Sequence, residues 1–394
     1  MNYDFSKIID RTHDATCKYG MLAQEFGRTD LTPLWIADMD FEVCPAITDA
    51  IMERIGKHRI YGYTMPCHDY WQSIINWQRK RHGFHIAPDE ITFIPGIVKG
   101  IALAVNFFTK PGDKILIQEP VYHPFRRVAA GNNRRIVVNR LQRTPNGFFA
   151  MDLDGLERTM REHKPKMMIL CNPHNPIGIA WDKDTLCRVA ALAREHGVIV
   201  VSDEIHGDLM LYGHRHEAFA SVSADAAAVS VTFGAPSKTF NIAGIVSSWC
   251  VVKNPDLRKP FFSWLDTNEF NEVNFVSMVA TQAAYEHGEE WLDQCLAYIE
   301  DNIAFVEDFC SANLPGVKPI RPQSSFLVWL DCTALGLQHD ALIDLFVNKA
   351  HLALNDGLMF GEPGNGFMRL NVATPRSVLS TALQQLKLAL EQQG

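Results

Sequence analysis

Chemistry-bearing residues cluster in four short segments. "SKTFNIAG", residues 237–244, sets Lys238 in a polar turn that runs straight into small and apolar residues. Upstream, "SDEIHGDL" carries Asp203 and His206, "CNPHNPIG" carries Asn172 and Asn175, and "EPVYHPF" carries Tyr122. Each has an ordinary reading when taken alone. A turn lysine is usually solvated, a strand-end aspartate is often a helix cap, and "NPHNPIG" could be a plain turn. Only their combination at one place would make an amine, a carboxylate, an imidazole, an amide and an aromatic ring work together.

The surrounding pattern provides such a place. "DKILIQEP" (113–120), "PKMMILCNP" (165–173) and "GVIVVSDE" (197–204) each hold three to five apolar residues between turn formers, which predicts strands buried on both faces. Between the last two, "DKDTLCRVAALAREHG" (182–197) has apolar residues at 186, 189, 190, 192 and 193, and predicts a helix ended by Gly197. Strand, helix, strand means a right-handed crossover and a parallel sheet. Ligands of such sheets sit beyond the carboxyl ends of the strands. Tyr122, Asn172, Asn175, Asp203 and His206 follow those ends, and Lys238 follows a fourth apolar patch, "AAAVSVTFGAP" (226–236).

That edge suits pyridoxal phosphate. The cofactor needs a lysine for a Schiff base, a carboxylate to keep its ring nitrogen protonated, and donors for its phenolate oxygen. It also needs a ring on its face and a phosphate cradle. "PGIVKG" (95–100) opens the helical pattern "KGIALAVNFF", and a helix start offers free N–H groups and the positive end of a dipole.

Further along, "EEWLDQCLAYIEDNIAFVEDFCSAN" (289–313) predicts one long amphipathic helix. It is followed by a strand at 325–331, a helix at 339–350, a strand at 366–373 and a final helix to about 390. The expected fold class is α/β: a large domain with a mostly parallel central sheet flanked by helices, plus a small α+β domain. The expected division is an N-terminal segment, 1–45, packing with the small domain; a large domain, 46–290; and a small C-terminal domain, 291–394.

Bulk properties exclude several function classes. The 394 residues are 47% hydrophobic and 21% charged with a net charge of −8, which argues against nucleic-acid and anionic-membrane partners. No apolar run approaches the ~20 residues of a membrane span, and the N-terminus shows no secretory pattern. Nine scattered cysteines without a CxxC pair read as reduced thiols, which places the protein in the cytoplasm. "GHRHE" sets His214 and His216 on one side of a possible strand, half a metal site at most; with no third ligand, a solvated loop is expected and no metal.

Taken together, these motifs resemble the aspartate-aminotransferase superfamily of fold-type I pyridoxal-phosphate enzymes, class I/II. Within it they are most similar to the bacterial cystathionine β-lyases and other C–S β-lyases. The likeness runs from "YDFSKIIDR" and "PLWIADMDF" through "YGYT", "PGIVKGI", "EPVYHPF", "CNPHNPIG" and "SDEIHGDL" to "SKTFNIAG" and "GFMRLNVATPRS". The resemblance implies that Lys238 is the Schiff-base lysine, that Asp203 pairs with the ring nitrogen, and that Asn175 bonds the phenolate oxygen. Tyr122 would stack on the ring, with Lys238 and Asp203 completing the catalytic set. Ile97, Val98 and Ser237 would contact the phosphate. Arg369 would grip the substrate α-carboxylate beside Asn175. Tyr63 would reach the partner's phosphate across a homodimer interface and help bind substrate there.

Two departures from the aminotransferases stand out. A serine three before the lysine and an arginine eight after it are replaced by Ala235 and Val246. A tyrosine three after the aspartate is replaced by His206, which joins the cofactor-binding set either by bonding the cofactor or by packing beneath it. "DEIH" marks the lyase-like branch. The implied activity is cleavage of cystathionine or cysteine S-conjugates to a thiol, pyruvate and ammonia. The alternatives are an aminotransferase acting on another amino acid and a cofactor-binding regulatory protein.

Overall fold

Seven short strands build the central sheet of this computed structural model, which describes residues 2–392. They are β1 (Ile91–Ile94), β2 (Lys114–Ile117), β3 (Arg135–Val138), β4 (Met167–Cys171), β5 (Ile199–Asp203), β6 (Ser230–Gly234) and β7 (Ser248–Val251). Their order across the sheet is β1-β7-β6-β5-β4-β2-β3. β7 runs antiparallel to both neighbours, and the other adjacent pairs are parallel. β4 and β6 are buried along their whole length, as expected for strands covered on both faces.

The helices used below are α1 (Pro45–His58), α2 (His68–His82), α3 (Ile97–Phe108), α4 (Lys183–His196), α5 (Pro236–Thr239), α6 (Phe275–His287) and α7 (Glu289–Asn313). Side chains alternate across the sheet with the period of two that strands impose. Ile115, Ile117, Ile169, Val201 and Phe233 pack with Ile97 and Ile101 of α3. Leu116, Met168, Leu170 and Val200 pack with Leu186 and Val189 of α4 on the other face. α4 starts where Asp182 accepts the Thr185 N–H at 2.7 Å and stops at Gly197, which is left-handed. Its buried leucines each contribute about 1.5–3 kcal/mol.

The second sheet is antiparallel, with β8 (Lys318–Ile320), β9 (Leu327–Asp331), β10 (Asn355–Asp356) and β11 (Phe367–Asn371) in the order β8-β9-β11-β10. The 25-residue α7 buries Trp291, Cys295, Ile299, Ile303 and Val306 in a core that also holds Phe93 and Trp249 of the large sheet and Leu327 and Leu370 of the small one. The large α/β unit and the small α+β unit therefore share apolar packing.

Two differences from expectation have physical causes. The helix expected over 339–350 is α-helical only at His339–Asp344, and Leu345–Lys349 is a π-helical turn in which Ala350 N–H bonds Leu345 O at 2.9 Å. The N-terminal segment is more ordered than its weak periodicity implies. Thr32–Pro33 pairs in parallel with Leu352–Ala353, and Arg11 and Lys18 bond Asp38 and Asp40, with Lys18 Nζ 2.7 Å from Asp40. Among the described residues, no helix is long and apolar enough to cross a membrane.

Candidate active site

Parallel strands present their carboxyl ends on one edge, and register sets their level. Cys171 of β4 pairs with Asp203 of β5, and Asp203 pairs with Phe233 of β6. Just beyond lies a cavity of about 210 Å³ lined by Tyr122, Asn175, Asp203, His206, Ser237 and Lys238, with Ile97 and Val98 at the start of α3. Ala37, Cys171, Ile205 and Ala243 complete the wall. Grooves of about 360 and 460 Å³ beside α6 are larger, but neither pairs a lysine with a buried aspartate.

Lys238 sits in the single turn of α5, and its Nζ donates to the Ala37 carbonyl. Burial pushes its amine down to about 8; Asp38 and Asp203 oppose this and Arg369 adds to it. Burial pushes the Asp203 carboxyl up to about 7, against the Ile205 N–H that it accepts at 3.2 Å. A lysine near neutrality and a carboxyl awaiting a cation are what burial without full compensation produces. His206 is driven to about 3 by burial, with Lys238 and Arg369 adding to it, and so is neutral; its Nδ1 has no protein partner.

Arg369, on β11, reaches the same edge from the small sheet. Its Nη1 donates to Asn175 Oδ1 at 3.0 Å, and its Nη2 donates to the Trp35 carbonyl at 3.0 Å and to Asn355 Oδ1. The guanidinium carbon stands 4.8 Å from the Phe360 ring centroid. Burial lowers its pKa to about 10, and no carboxylate of the chain pairs with it among the described residues. Its Nε has no partner. A buried cation ringed by neutral acceptors is incomplete without an anion.

These features fit pyridoxal phosphate. Gly96, the residue before α3, has φ +102°, and Ile97 and Val98, which open α3, line the cavity with no acidic residue in the first turn. Lys238 could take the aldehyde, Asp203 the ring nitrogen and Asn175 the ring's oxygen, with His206 beside the ring. Tyr122 is largely buried beside them, and its phenol is raised by burial and by Asp203.

Tyr63 lies apart from this group. It is fully exposed on the segment between α1 and α2 and touches no cavity residue of its own chain. Ala235 is buried, whereas Val246 is solvent-exposed and provides no phosphate donor. His216 is not part of a solvated loop: it is buried, with Nε2 2.8 Å from Glu204 Oε2. His214 stays exposed, and no metal-binding cluster occurs among the described residues. The sequence reading missed the carbonyls of Trp35 and Ala37, because backbone acceptors leave no residue-type signal. It also missed His123, whose ring meets Tyr122 and Phe360 edge to face and whose pKa burial lowers to about 4.

The chain is similar to known proteins over nearly its whole length. Residues 29–386 match the family Aminotransferase class I and II. The chain is 42% identical to cystathionine beta-lyase PatB of Bacillus subtilis (strain 168), covering 99% of this chain and 100% of that one. Cystalysin from Treponema denticola, solved with pyridoxal 5'-phosphate, superposes with a TM-score of 0.96 at 33% identity over 100% of both chains. A PLP-bound C-S lyase from Staphylococcus hominis gives 0.92 at 32%, covering 99% and 98%.

Proposed function

The chain belongs to the class I and II aminotransferase family, and we propose that within it the protein is a pyridoxal 5'-phosphate-dependent C–S β-lyase. Its substrates are cystathionine or related cysteine S-conjugates, and its products a thiol, pyruvate and ammonia. The observation that carries this reading is the meeting of Lys238, Asp203 and Arg369 at one cavity, in a chain 42% identical over nearly its full length to a cystathionine β-lyase.

When bound, the cofactor supplies a sink for the electron pair left at Cα after an amino acid loses its α-proton. The chain's own residues do the rest. Arg369 fixes the α-carboxylate with a planar fork that an ammonium lacks. Asp203 would take the ring nitrogen and, ionised beside that cation, would keep it protonated. The Lys238 amine, held near 8 by burial, takes the α-proton onto Nζ. The Cβ–S bond then breaks, the thiolate leaves with the electron pair, and Nζ holds a proton within reach of it. A Cα–Cβ double bond forms in the remaining fragment, which water converts to pyruvate and ammonia. Asn175 orients Arg369 and would bond the ring oxygen, Tyr122 would cover the ring face, and Ile97, Val98 and Ser237 would hold the phosphate. His206 would pack by the ring as a neutral imidazole.

An aminotransferase would use the same residues up to proton removal, but the full-length similarity to β-lyases favours elimination. The discriminating experiment is pyruvate release from L-cystathionine without a keto-acid acceptor.

The protein acts as a homodimer in which Tyr63 serves the partner's site. The exposure of Tyr63, with Ile60, Tyr61 and Met65 beside it, supports this. It works in the cytoplasm, consistent with nine cysteines that form no disulfide. Functional boundaries at 1–45, 46–290 and 291–394 are supported by the pairing of Thr32–Pro33 with Leu352–Ala353, which joins the N-terminal segment to the small unit.

A further inference from the structure

Behind the cavity lies a second buried polar cluster that the proposed reaction does not use. Asp208 Oδ1 accepts the Trp77 indole N–H at 2.8 Å and lies 2.7 Å from His82 Nε2; its Oδ2 accepts the Thr239 hydroxyl at 2.8 Å. Glu204 Oε1 accepts the Ser202 hydroxyl at 2.8 Å and the Phe219 N–H at 2.9 Å, and its Oε2 meets His216 Nε2 at 2.8 Å. The two imidazoles meet edge to face with centroids 5.1 Å apart. A Cβ on Gly207 would stand 2.9 Å from His216 Cδ2, so the glycine permits this packing.

The cluster is placed one residue from both catalytic groups. Glu204 follows Asp203, and Thr239 follows Lys238. Burial alone would raise the Asp208 carboxyl, but His82, Trp77 and Thr239 together hold it below its ordinary range. An ionised carboxylate only accepts, so His82 donates. A buried charge is expensive to keep where an apolar residue would pack as well. Here it is spent on α5, a helix of four residues that cannot sustain itself by its own hydrogen bonds.

We infer that the Thr239–Asp208 hydrogen bond is the device that aims Lys238 into the cavity, with His82 and Trp77 holding Asp208 as its fixed acceptor. Asp208, Thr239 and His82 are positioning residues. This rests on Lys238 being the cofactor-binding lysine, and not on which substrate bond is broken. The groups facing Lys238 are Asp38 of the N-terminal segment, Asp203 at the end of β5, His206 in the turn after it and Arg369 of β11. Those facing Asp208 are His82 of α2, Tyr285 of α6 and, through the ring contact, His216 with Glu204. A loosened α5 admits water to Nζ, and the amine moves back toward an ordinary lysine.

The test uses the cofactor-free full-length chain. Its amines are acylated with acetic anhydride across a pH series, and the Lys238 peptide is followed by mass spectrometry. Wild type and Thr239→Ser should give a midpoint of about 8 for Lys238. Thr239→Val, which keeps the shape and removes the hydroxyl, should shift it upward toward ~10.4. Its pyridoxal phosphate dissociation constant should rise roughly tenfold or more, as for a lost hydrogen bond to a charged acceptor. Thr239→Cys, with a weak donor, should fall between and serves if the valine variant does not fold. A lowered melting temperature with unchanged Lys238 midpoint in Thr239→Val or Thr239→Cys would reduce the bond to packing and overturn the inference. Loss of pyruvate formation in wild type would refute the lyase reading and leave this midpoint untouched.

Discussion

Arg369, on the small sheet, donates from Nη1 to Oδ1 of Asn175, in the turn after β4 of the large sheet, at 3.0 Å. The residues are 194 positions apart. One bond therefore ties the two sheets together beside the charge that would receive a substrate carboxylate.

Arg369→Lys tests that charge. Lysine keeps the cation but loses the fork and cannot keep Asn175, Asn355 and Trp35 together. KM for the amino acid should rise roughly 10- to 100-fold, the worth of one charge-assisted hydrogen bond, with a smaller change in kcat. Steady-state kinetics read it directly, and an unchanged KM removes Arg369 from the substrate site.

Lys238→Ala removes the covalent anchor. Borohydride treatment of the holoenzyme should attach the cofactor irreversibly to the Lys238 peptide in wild type and to no peptide in the variant. A cofactor tag on any other lysine of the wild type refutes the assignment.

Asp203 makes the stability of the cofactor-free chain depend on pH. Its carboxyl lies at about 7 when folded, against 3.8 as the ordinary value. The folded state keeps the proton where the unfolded state has lost it. That contribution is complete below the unfolded value and vanishes as pH rises through 7. Asp203→Asn should therefore stabilise the cofactor-free chain at pH about 8 by about 2–4 kcal/mol, and the gap should close near pH ~4. Urea melts at the two pH values measure it; a pH-independent difference contradicts the buried carboxyl. The same variant should bind the cofactor more weakly.

Tyr63 is exposed in the single chain. Sedimentation equilibrium should return the mass of two chains, and Tyr63→Phe should weaken cofactor binding without changing that mass. A monomer that binds the cofactor fully would show that no partner residue is needed.

Much of the site was legible because burial on both faces writes continuous apolar runs. "MMILC" and "IVVSD" announced β4 and β5, and the polar residues at their ends, Asn175 after β4 and Asp203 closing β5, reached the cavity. β3 was harder to see, since it lies at the sheet's edge with Arg135 exposed and the rest half-buried. Arg369 was legible only by resemblance, because its partners Trp35 and Asn175 lie 334 and 194 residues away. Lys18 is wholly buried against Asp40, which its neighbours "CKYG" do not foretell. His216 looked like a loop residue because its partner Glu204 hides inside a motif dominated by Asp203. Pairings that close only in three dimensions leave no local period to read.

The central claim is elimination rather than transfer. Purified holoenzyme given L-cystathionine and no keto-acid acceptor should release pyruvate in step with a free thiol over many turnovers. Product that appears only when an acceptor is added, or that stops at one equivalent per site, would contradict the account.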